Sequence, residues 1–358
     1  MSTPSVLHPV AATKRIERVI DPEAFSALNT FLQPLRGLLE GPVTEVCVNR
    51  PGEAWTEGKH GWQKHAVDGL GYEHLRQLAK LIANSTNQKI DETTPLCSAA
   101  LPSGERVQVV IPPATTAGCV SLTIRKPSKL RLTLEDYEAG GVFDQVTVGD
   151  RGDDRLENEL GQLLAQRRIR EFLTLAVQSH QNIVISGATG AGKTTIMKAL
   201  VDLIPPHERL ITIEDTPELD IIKQDNHVRL YFSKDGQGVS KATPKQLLEC
   251  CLRLKPDRVL LAELRSDEAF YYVRNINSGH PGSMTSVHAT SPELAIEQLM
   301  LLVKESAGGA HLSRDDIKQL LFMLVDIVIQ FSRVEGERRV TGIYYDPKRK
   351  RTLRDRSV

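Results

Sequence analysis

Two different rhythms of apolar and polar positions run along this chain, and one gives way to the other near its middle. In the first third, Leu75, Leu78, Ala79 and Ile82 recur at three- and four-residue steps, which predicts a helix over residues 71–83 with one buried face. Asp21-Pro22-Glu23 reads as an N-cap with proline at the first helical position, opening a helix to about residue 33. Residues 43–48 and 53–57 predict two strands around the turn signal Asn49-Arg50-Pro51-Gly52. A hairpin follows, with strands at 98–101 and 106–111 around Pro102-Ser103-Gly104, and a further strand lies at 120–125. Residues 1–20 read as loosely structured. These elements predict a smaller α+β domain over residues 1–130.

From about residue 165 strands alternate with helices. Strands are predicted at 183–186, 209–214, 227–232, 258–264, 282–288, 325–331 and 339–344, and helices at about 167–179, 193–204, 244–255, 267–278, 291–305 and 313–323. Runs such as Val259-Leu-Leu-Ala-Glu-Leu264 are too continuously apolar for a sheet wet on one side. They suit buried, largely parallel strands of a doubly wound α/β domain over residues 165–358. Between the two rhythms, residues 135–160 carry nine acids against Arg151 and Arg155, and this shift marks 131–164 as an acidic linker. No internal repeat is evident.

Composition narrows the function classes. The 358 residues suffice for two cores, and 45 basic residues balance 45 acidic ones, so no global charge argues for nucleic acid or membrane. The basic tail Lys348-Arg-Lys-Arg351, with Arg354 and Arg356, reads as a frayed terminus. Cys47, Cys97, Cys119, Cys250 and Cys251 are odd in number and lack a C-x-x-C, which fits reduced thiols of a cytoplasmic protein rather than a zinc framework. The N-terminus has no apolar signal-peptide core. The longest apolar run, 320–331, is broken by Asp326 and is too short to span a bilayer, so any membrane association is expected to be peripheral.

One stretch carries recognisable chemistry. A short apolar strand at 183–185 runs into Gly187, Ala188, Thr189, Gly190, Ala191, Gly192, Lys193, Thr194 and Thr195, and this loop opens a helix. Gly187, Gly192, Lys193 and Thr194 meet the pattern G-x-x-x-x-G-K-[ST] of a nucleotide-binding P-loop. Glycines let the backbone turn successive N–H groups toward phosphate oxygens, and the helix start adds its positive end. Lys193 is expected to reach the β- and γ-phosphates of ATP, and the Thr194 hydroxyl to ligate Mg²⁺.

Hydrolysis also needs carboxylates to position water or hold the metal shell. Glu214-Asp215 and Glu263 stand where buried strands emerge, the usual place for ligands in open α/β sheets. Arg265, two residues on, reads as an ion-pair partner of Glu263. His280 and His288, eight residues apart, do not have zinc-site spacing.

Four segments resemble, in order and spacing, the boxes of the secretion (traffic) ATPases. They are Gly-Ala-Thr-Gly-Ala-Gly-Lys-Thr-Thr at 187–195 (Walker A), Ile-Glu-Asp-Thr-Pro-Glu-Leu at 213–219 (Asp box), Leu-Arg-Leu-Lys-Pro-Asp-Arg-Val-Leu-Leu-Ala-Glu-Leu-Arg at 252–265 (Walker B) and Ser-Gly-His-Pro-Gly-Ser-Met-Thr-Ser-Val-His-Ala at 278–289 (His box). The Asp-Thr-Pro-Glu-Leu form, Ile-Arg-Lys-Pro-Ser at 124–128 and the long linker are most similar to the type IV secretion branch, of the conjugative TrwD type. The resemblance covers residues 170–332 firmly and the N-terminal domain loosely.

The resemblance implies a RecA-like P-loop domain preceded by a PAS-like N-terminal domain, assembled as a homohexamer that hydrolyses ATP with Mg²⁺. It implies Glu263 as the catalytic glutamate, Glu214 arranging water and Mg²⁺ beside Thr194, His280 and His288 as the His box, and Arg106 and Arg125 reaching the γ-phosphate from the N-terminal domain. Ala262 departs from the glycine usual before the Walker B glutamate. The implied partners are inner-membrane subunits of a type IV secretion machine, with transient contact to transferred DNA or protein. The alternatives are an ATPase of type IV pilus assembly or retraction, a RecA-like nucleic-acid motor, and a scaffold that switches with nucleotide without turnover. Aromatic residues at 5% speak against the stacking platform of a nucleic-acid motor.

Overall fold

A computed structural model describes residues 22–127, 132–144, 146, 154–234 and 237–355, so the expectation for residues 1–20 lies outside the described residues. Six antiparallel strands, β1 (Val43–Val48), β2 (Glu53–Gly58), β3 (Gly61–Ala66), β4 (Leu96–Ala100), β5 (Arg106–Val110) and β6 (Ser121–Arg125), form one sheet in the order β3-β2-β1-β6-β5-β4. Alternation gives each strand two faces. Val46, Val48, Val107, Val109, Leu122 and Ile124 meet the helices Pro22–Leu32 and Tyr72–Asn84 through Leu28, Leu75, Leu78 and Ile82. The opposite face carries Glu45, Cys47, Gln108, Ser121 and Thr123, all buried, and the second domain covers it with the helix Pro244–Leu254. Strand β3 escaped the pattern reading because it is an edge strand with mostly wet faces and so shows no apolar alternation.

Seven further strands follow: β7 (Ile183–Ser186), β8 (Leu210–Glu214), β9 (His227–Tyr231), β10 (Arg258–Leu261), β11 (Met284–Val287), β12 (Ile327–Val334) and β13 (Glu337–Tyr345). Their order is β13-β12-β7-β11-β10-β8-β9, parallel throughout except for β13, which pairs antiparallel with β12. Strands β7, β8, β10 and β11 are buried along their whole length, as the apolar runs of β7 and β10 predict, while β8 and β11 also bury Thr212, Glu214, Thr285 and Ser286. Helices begin where the sequence supplies caps. Thr243 and Gln246 form a capping box for Pro244–Leu254, and Ser291 and Ser313 cap Pro292–Glu305 and Arg314–Leu324.

The strand expected to run to residue 264 leaves its ladder after Leu261, and the one expected to reach His288 ends at Val287. The backbone beyond remains tied down, since Ala262 N–H donates to the Ile213 carbonyl at 3.0 Å and Leu264 N–H to the Ser286 carbonyl at 2.9 Å. Glu263 therefore stands on a pinned loop rather than on a strand.

Two expectations need correction. The final part of the expected linker is the helix Asp154–Ala165, whose Leu160 is fully buried against Phe172, Met197 and Ile327. Its leucines at 156, 160, 163 and 164 make an apolar face that the excess of acids masked. The tail expected to fray is the helix Pro347–Asp355. Lys350 pairs with Asp326, Arg351 with Glu157 at 3.0 Å, and Arg349 lies 3.4 Å from the centre of the Phe322 ring, so acids and an aromatic face neutralise the basic run.

A buried polar knot joins the two domains. Arg209, fully buried, donates to Asn49 Oδ1 at 2.8 Å and to the Leu254 carbonyl at 3.0 Å, also reaches Asn226, and stacks over Trp62. Asn49 Nδ2 donates to Asn226 Oδ1 at 3.0 Å. The loop after β5 extends the second sheet at its β9 edge, with Tyr231 N–H on the Ala114 carbonyl at 2.9 Å and Thr115 Oγ1 on that of Arg229 at 2.9 Å.

Candidate nucleotide site

Strand β7 lies in the middle of its sheet between β11 and β12, and the loop 187–192 rises from its C-terminal end into the helix Lys193–Val201. Gly190 and Gly192 have φ of 73° and 105°, left-handed values that open the loop, and Gly192 is the N-cap residue. Gly187 is needed for a different reason, since a Cβ there would run into the Phe331 carbonyl of β12. Ala188, Thr189 and Gly190 form an exposed arch, whereas Lys193 is buried beneath it. Its Nζ donates to the carbonyls of Gly187 at 3.0 Å and Ala188 at 3.3 Å. Burial pushes the ammonium below the usual lysine range, while Glu263 pulls it back.

A chain of charged groups connects Lys193 to the strand ends. Lys193 Nζ lies 3.1 Å from His288 Nδ1, and because an ammonium only donates, Nδ1 accepts. The imidazole then carries its proton on Nε2, which meets Glu263. The other Glu263 oxygen pairs with Arg265, whose second nitrogen lies 3.3 Å from Asp215, and Asp215 also takes Lys234 at 2.5 Å. Burial works to raise the Asp215 carboxyl, but Lys234 and Arg265 outweigh it and hold the group below its ordinary range. The arrangement thus puts one cation inside the phosphate-type loop, one imidazole beside it, and one carboxylate on the imidazole.

The structure does not bring every expected residue to this point. Glu214 is fully buried, and its oxygens accept from Thr212 at 2.8 Å, Arg229 at 3.2 Å and the N–H groups of Glu218 and Leu219 at 2.8 and 2.7 Å. It anchors the loop after β8, and Asp215 is the acid that faces the charged chain, contrary to the expectation for Glu214. His280 precedes β11 whereas His288 follows it, so the two stand at opposite ends of that strand. His280 Nδ1 lies 3.1 Å from the Pro256 carbonyl, and burial holds its pKa down. Arg106 and Arg125 face each other across β5 and β6 and are exposed. Arg125 pairs with buried Glu45 at 2.8 Å, and among the described residues no hydrogen bond or ion pair joins either arginine to the loop 187–195.

Sequence reading named Glu214-Asp215 together as a strand-end pair but gave the role to Glu214 rather than Asp215. It also missed Arg229 and the two β12–β13 residues that touch the loop, Phe331 and Arg338. No local signal marks those, because they lie about 140 residues from the loop they touch.

Fold and site together define a P-loop nucleoside triphosphatase with a second domain docked on it. Residues 153–331 match the family model described as "Type II/IV secretion system protein". The chain is 46% identical over 343 residues to the type IV secretion system protein VirB11 of Bartonella quintana, covering 92% of this chain and 96% of that one. It is 44% identical to the protein of the same name from Brucella suis, over 92% of each. The crystal structure of the VirB11 ATPase from the Brucella suis type IV secretion system, in complex with sulphate, superposes with a TM-score of 0.85 over 91% of this chain and 99% of that chain. The chain belongs to the VirB11 family of type IV secretion ATPases, with an antiparallel N-terminal domain and a RecA-like C-terminal domain.

Proposed function

We propose that this ATPase hydrolyses ATP at the loop 187–195 to power a type IV secretion or conjugative-transfer machine. It would work as a homohexamer held peripherally at the cytoplasmic face of the inner membrane, docked on membrane subunits and touching transferred DNA or protein transiently. Its family membership supports this reading, and the conjugative TrwD-type assignment rests on the sequence details at 124–128 and 215–219. None of the described helices is long and apolar enough to cross a membrane. The proposed units are an N-terminal domain through about residue 130, the acidic connection, and the ATPase domain with the helix at Asp154–Ala165 added to it.

The single observation that carries the chemistry is the meeting of Lys193 and Glu263 on the two nitrogens of His288. In this reading the loop N–H groups and Lys193 bind the β- and γ-phosphates, and Glu263 orients the attacking water and accepts its proton. His288 links the two, one nitrogen toward Lys193 and the other toward Glu263. The donor set suits Mg²⁺ only in company with nucleotide. Among the described residues no group of three His, Cys, Asp or Glu could hold an ion alone, but the half-buried Thr194 hydroxyl begins the helix beside the phosphate loop. Thr194, with Glu263 or Asp215 through water, would hold the ion, which neutralises developing phosphate charge when bound. Arg106 and Arg125 are proposed to act on nucleotide from the N-terminal domain. Glu214 and His280 are assigned indirect roles, anchoring the loop after β8 and the turn before β11.

Lys193→Ala is the direct test. It removes the point cation from an otherwise backbone-built cradle, so the folded variant should show no measurable turnover. Parental ATP hydrolysis by that variant would exclude the loop as the nucleotide site.

A further inference from the structure

The hairpin β12–β13 turns at Glu335 and Gly336, both in the left-handed region at φ 51° and 84°, which is the turn that strand twist favours. Across it Phe331 faces Val340, Ser332 faces Arg339 and Arg333 faces Arg338. Side chains alternate along a strand, so Phe331, Arg333, Arg338 and Val340 share one face, and Ser332 and Arg339 share the other. The first face is turned toward the phosphate-type loop. A Cβ on Gly192 would meet Arg338 Cδ at 2.9 Å, Phe331 Cε1 at 3.0 Å and Arg338 Nε at 3.2 Å. The stem of Arg338 therefore lies along the last loop glycine, one residue before Lys193, and only a glycine lets it approach so closely.

The charges on this face have no internal answer. Two arginines directly opposite on one face repel each other. Among the described residues, neither Arg333 nor Arg338 has a carboxylate within ion-pair distance, and both are exposed. Arg339, one residue away on the opposite face, pairs with Glu337 at 2.7 Å. Other cations of the domain, Lys234, Arg265, Lys350 and Arg351, do have acids. Arg338 beside a phosphate-binding loop, with a second unpaired arginine opposite it, suits an anion from outside the chain.

We propose that Arg338, backed by Arg333, binds the phosphate tail of the nucleotide held by the same chain's loop, so that the C-terminal hairpin is part of the nucleotide site. The inference rests on the reading of residues 187–195 as that site. A guanidinium suits the task because its planar fork can take two phosphate oxygens at once. Bound phosphate would also relieve the repulsion between the two arginines, tying the hairpin to occupancy of the loop.

The test uses the full chain with Lys193→Ala, Arg333→Ala, Arg338→Ala, Arg338→Lys and Arg339→Ala. Affinity is measured with a fluorescent ATP analogue, in competition with ATP, tripolyphosphate and adenosine, and mass in solution is recorded alongside. Arg338→Ala should weaken ATP and tripolyphosphate alike by about five- to thirtyfold, the range for losing an exposed charge-assisted contact. Arg333→Ala should lose less, Arg338→Lys should fall between parent and alanine, and Arg339→Ala should match the parent. Parental affinity of Arg338→Ala for both ligands overturns the proposal. So does an equal loss in Arg339→Ala, which would mean bulk charge only, or a loss for ATP with tripolyphosphate unaffected, which would put Arg338 on the base. A change of assembly at unchanged affinity overturns it as well, in favour of an acid on a neighbouring copy. Lys193→Ala separates the two readings. If it binds ATP normally, the loop assignment fails and this proposal falls with it; if it alone loses binding, only the proposal about Arg338 fails.

Discussion

Glu263→Gln keeps the shape of the side chain and removes its charge, and the surroundings of Glu263 set how much each property should change. The carboxylate holds an ion pair with Arg265 and accepts a hydrogen bond from His288. Their side chains are 45% and 40% exposed, so solvent screens both contacts, and losing them should cost below about 1 kcal/mol of stability. The glutamine oxygen can still accept from His288 Nε2, which preserves the contact between His288 and Lys193. Arg265 keeps Asp215 at 3.3 Å. The loop and Lys193 therefore stay in place, and ATP affinity should change by less than about tenfold. Turnover is different, because an amide cannot take the proton of attacking water. A positioned general base contributes about 10²–10⁴-fold, equivalent to about 3–5 kcal/mol of barrier. A stability change below 1 kcal/mol cannot imitate that loss in a protein that remains folded. Single-turnover hydrolysis, equilibrium nucleotide binding, thermal unfolding and mass in solution on one preparation decide the matter, and the variant should accumulate as an ATP-bound oligomer. Turnover within a few-fold of the parent would refute the catalytic assignment and leave Glu263 as an ion-pair partner. Loss of ATP binding would instead mean that the carboxylate mainly holds the metal or the loop.

Gly187→Ala should disrupt the site through the backbone, because its Cβ would collide with the Phe331 carbonyl and push β12 from the loop. The expected cost is about 1–3 kcal/mol in a denaturant melt, with ATP affinity reduced more than tenfold; unchanged binding would show that the loop adapts. Glu45 supplies a pH-dependent prediction. Burial raises its carboxyl from 4.5 to about 7, although Arg125 pulls it down. The folded chain thus keeps a proton that the unfolded chain releases above pH 4.5, and stability should fall as pH rises from there through about 7. Glu45→Gln should flatten that slope and gain about 2–3 kcal/mol at pH 8, read from urea melts at pH 5 and 8; an unchanged slope would contradict it. Arg125→Ala tests the N-terminal domain, since its half-exposed side chain can leave with a stability change below about 1 kcal/mol. The catalytic rate should nevertheless drop at least about tenfold, the value of one charge-assisted contact to a transition state, and a rate within twofold would end that assignment.

Much of this protein is legible from local pattern. Apolar runs announced the parallel strands because β7 and β10 are buried on both faces, and burial of that kind favours apolar residues. The phosphate loop was legible for a similar reason, since left-handed turns at Gly190 and Gly192 and a close approach at Gly187 each demand glycine. Patterns failed where neighbours distant in sequence supply what a segment lacks. The basic helix Pro347–Asp355 forms because Asp326 and Glu157 answer its charges, and no local signal carries those partners. The wet edge strand β3 is held by pairing with β2 instead of by an apolar face.

What only the tertiary structure decided is direction. Sequence put Glu214 and Asp215 side by side at a strand end, but burial turned the first toward Arg229 and backbone N–H groups and left the second to meet Arg265. Likewise His280 and His288 share one segment, yet a strand separates them, and only His288 stands where the C-terminal ends of β7 and β10 bring Lys193 and Glu263 together. Spacing along a chain determines which side chains an element can carry. Which of them face the same few cubic ångströms depends on the packing of elements from 70 to 150 residues apart, and that is settled only when the sheet closes around its own loops.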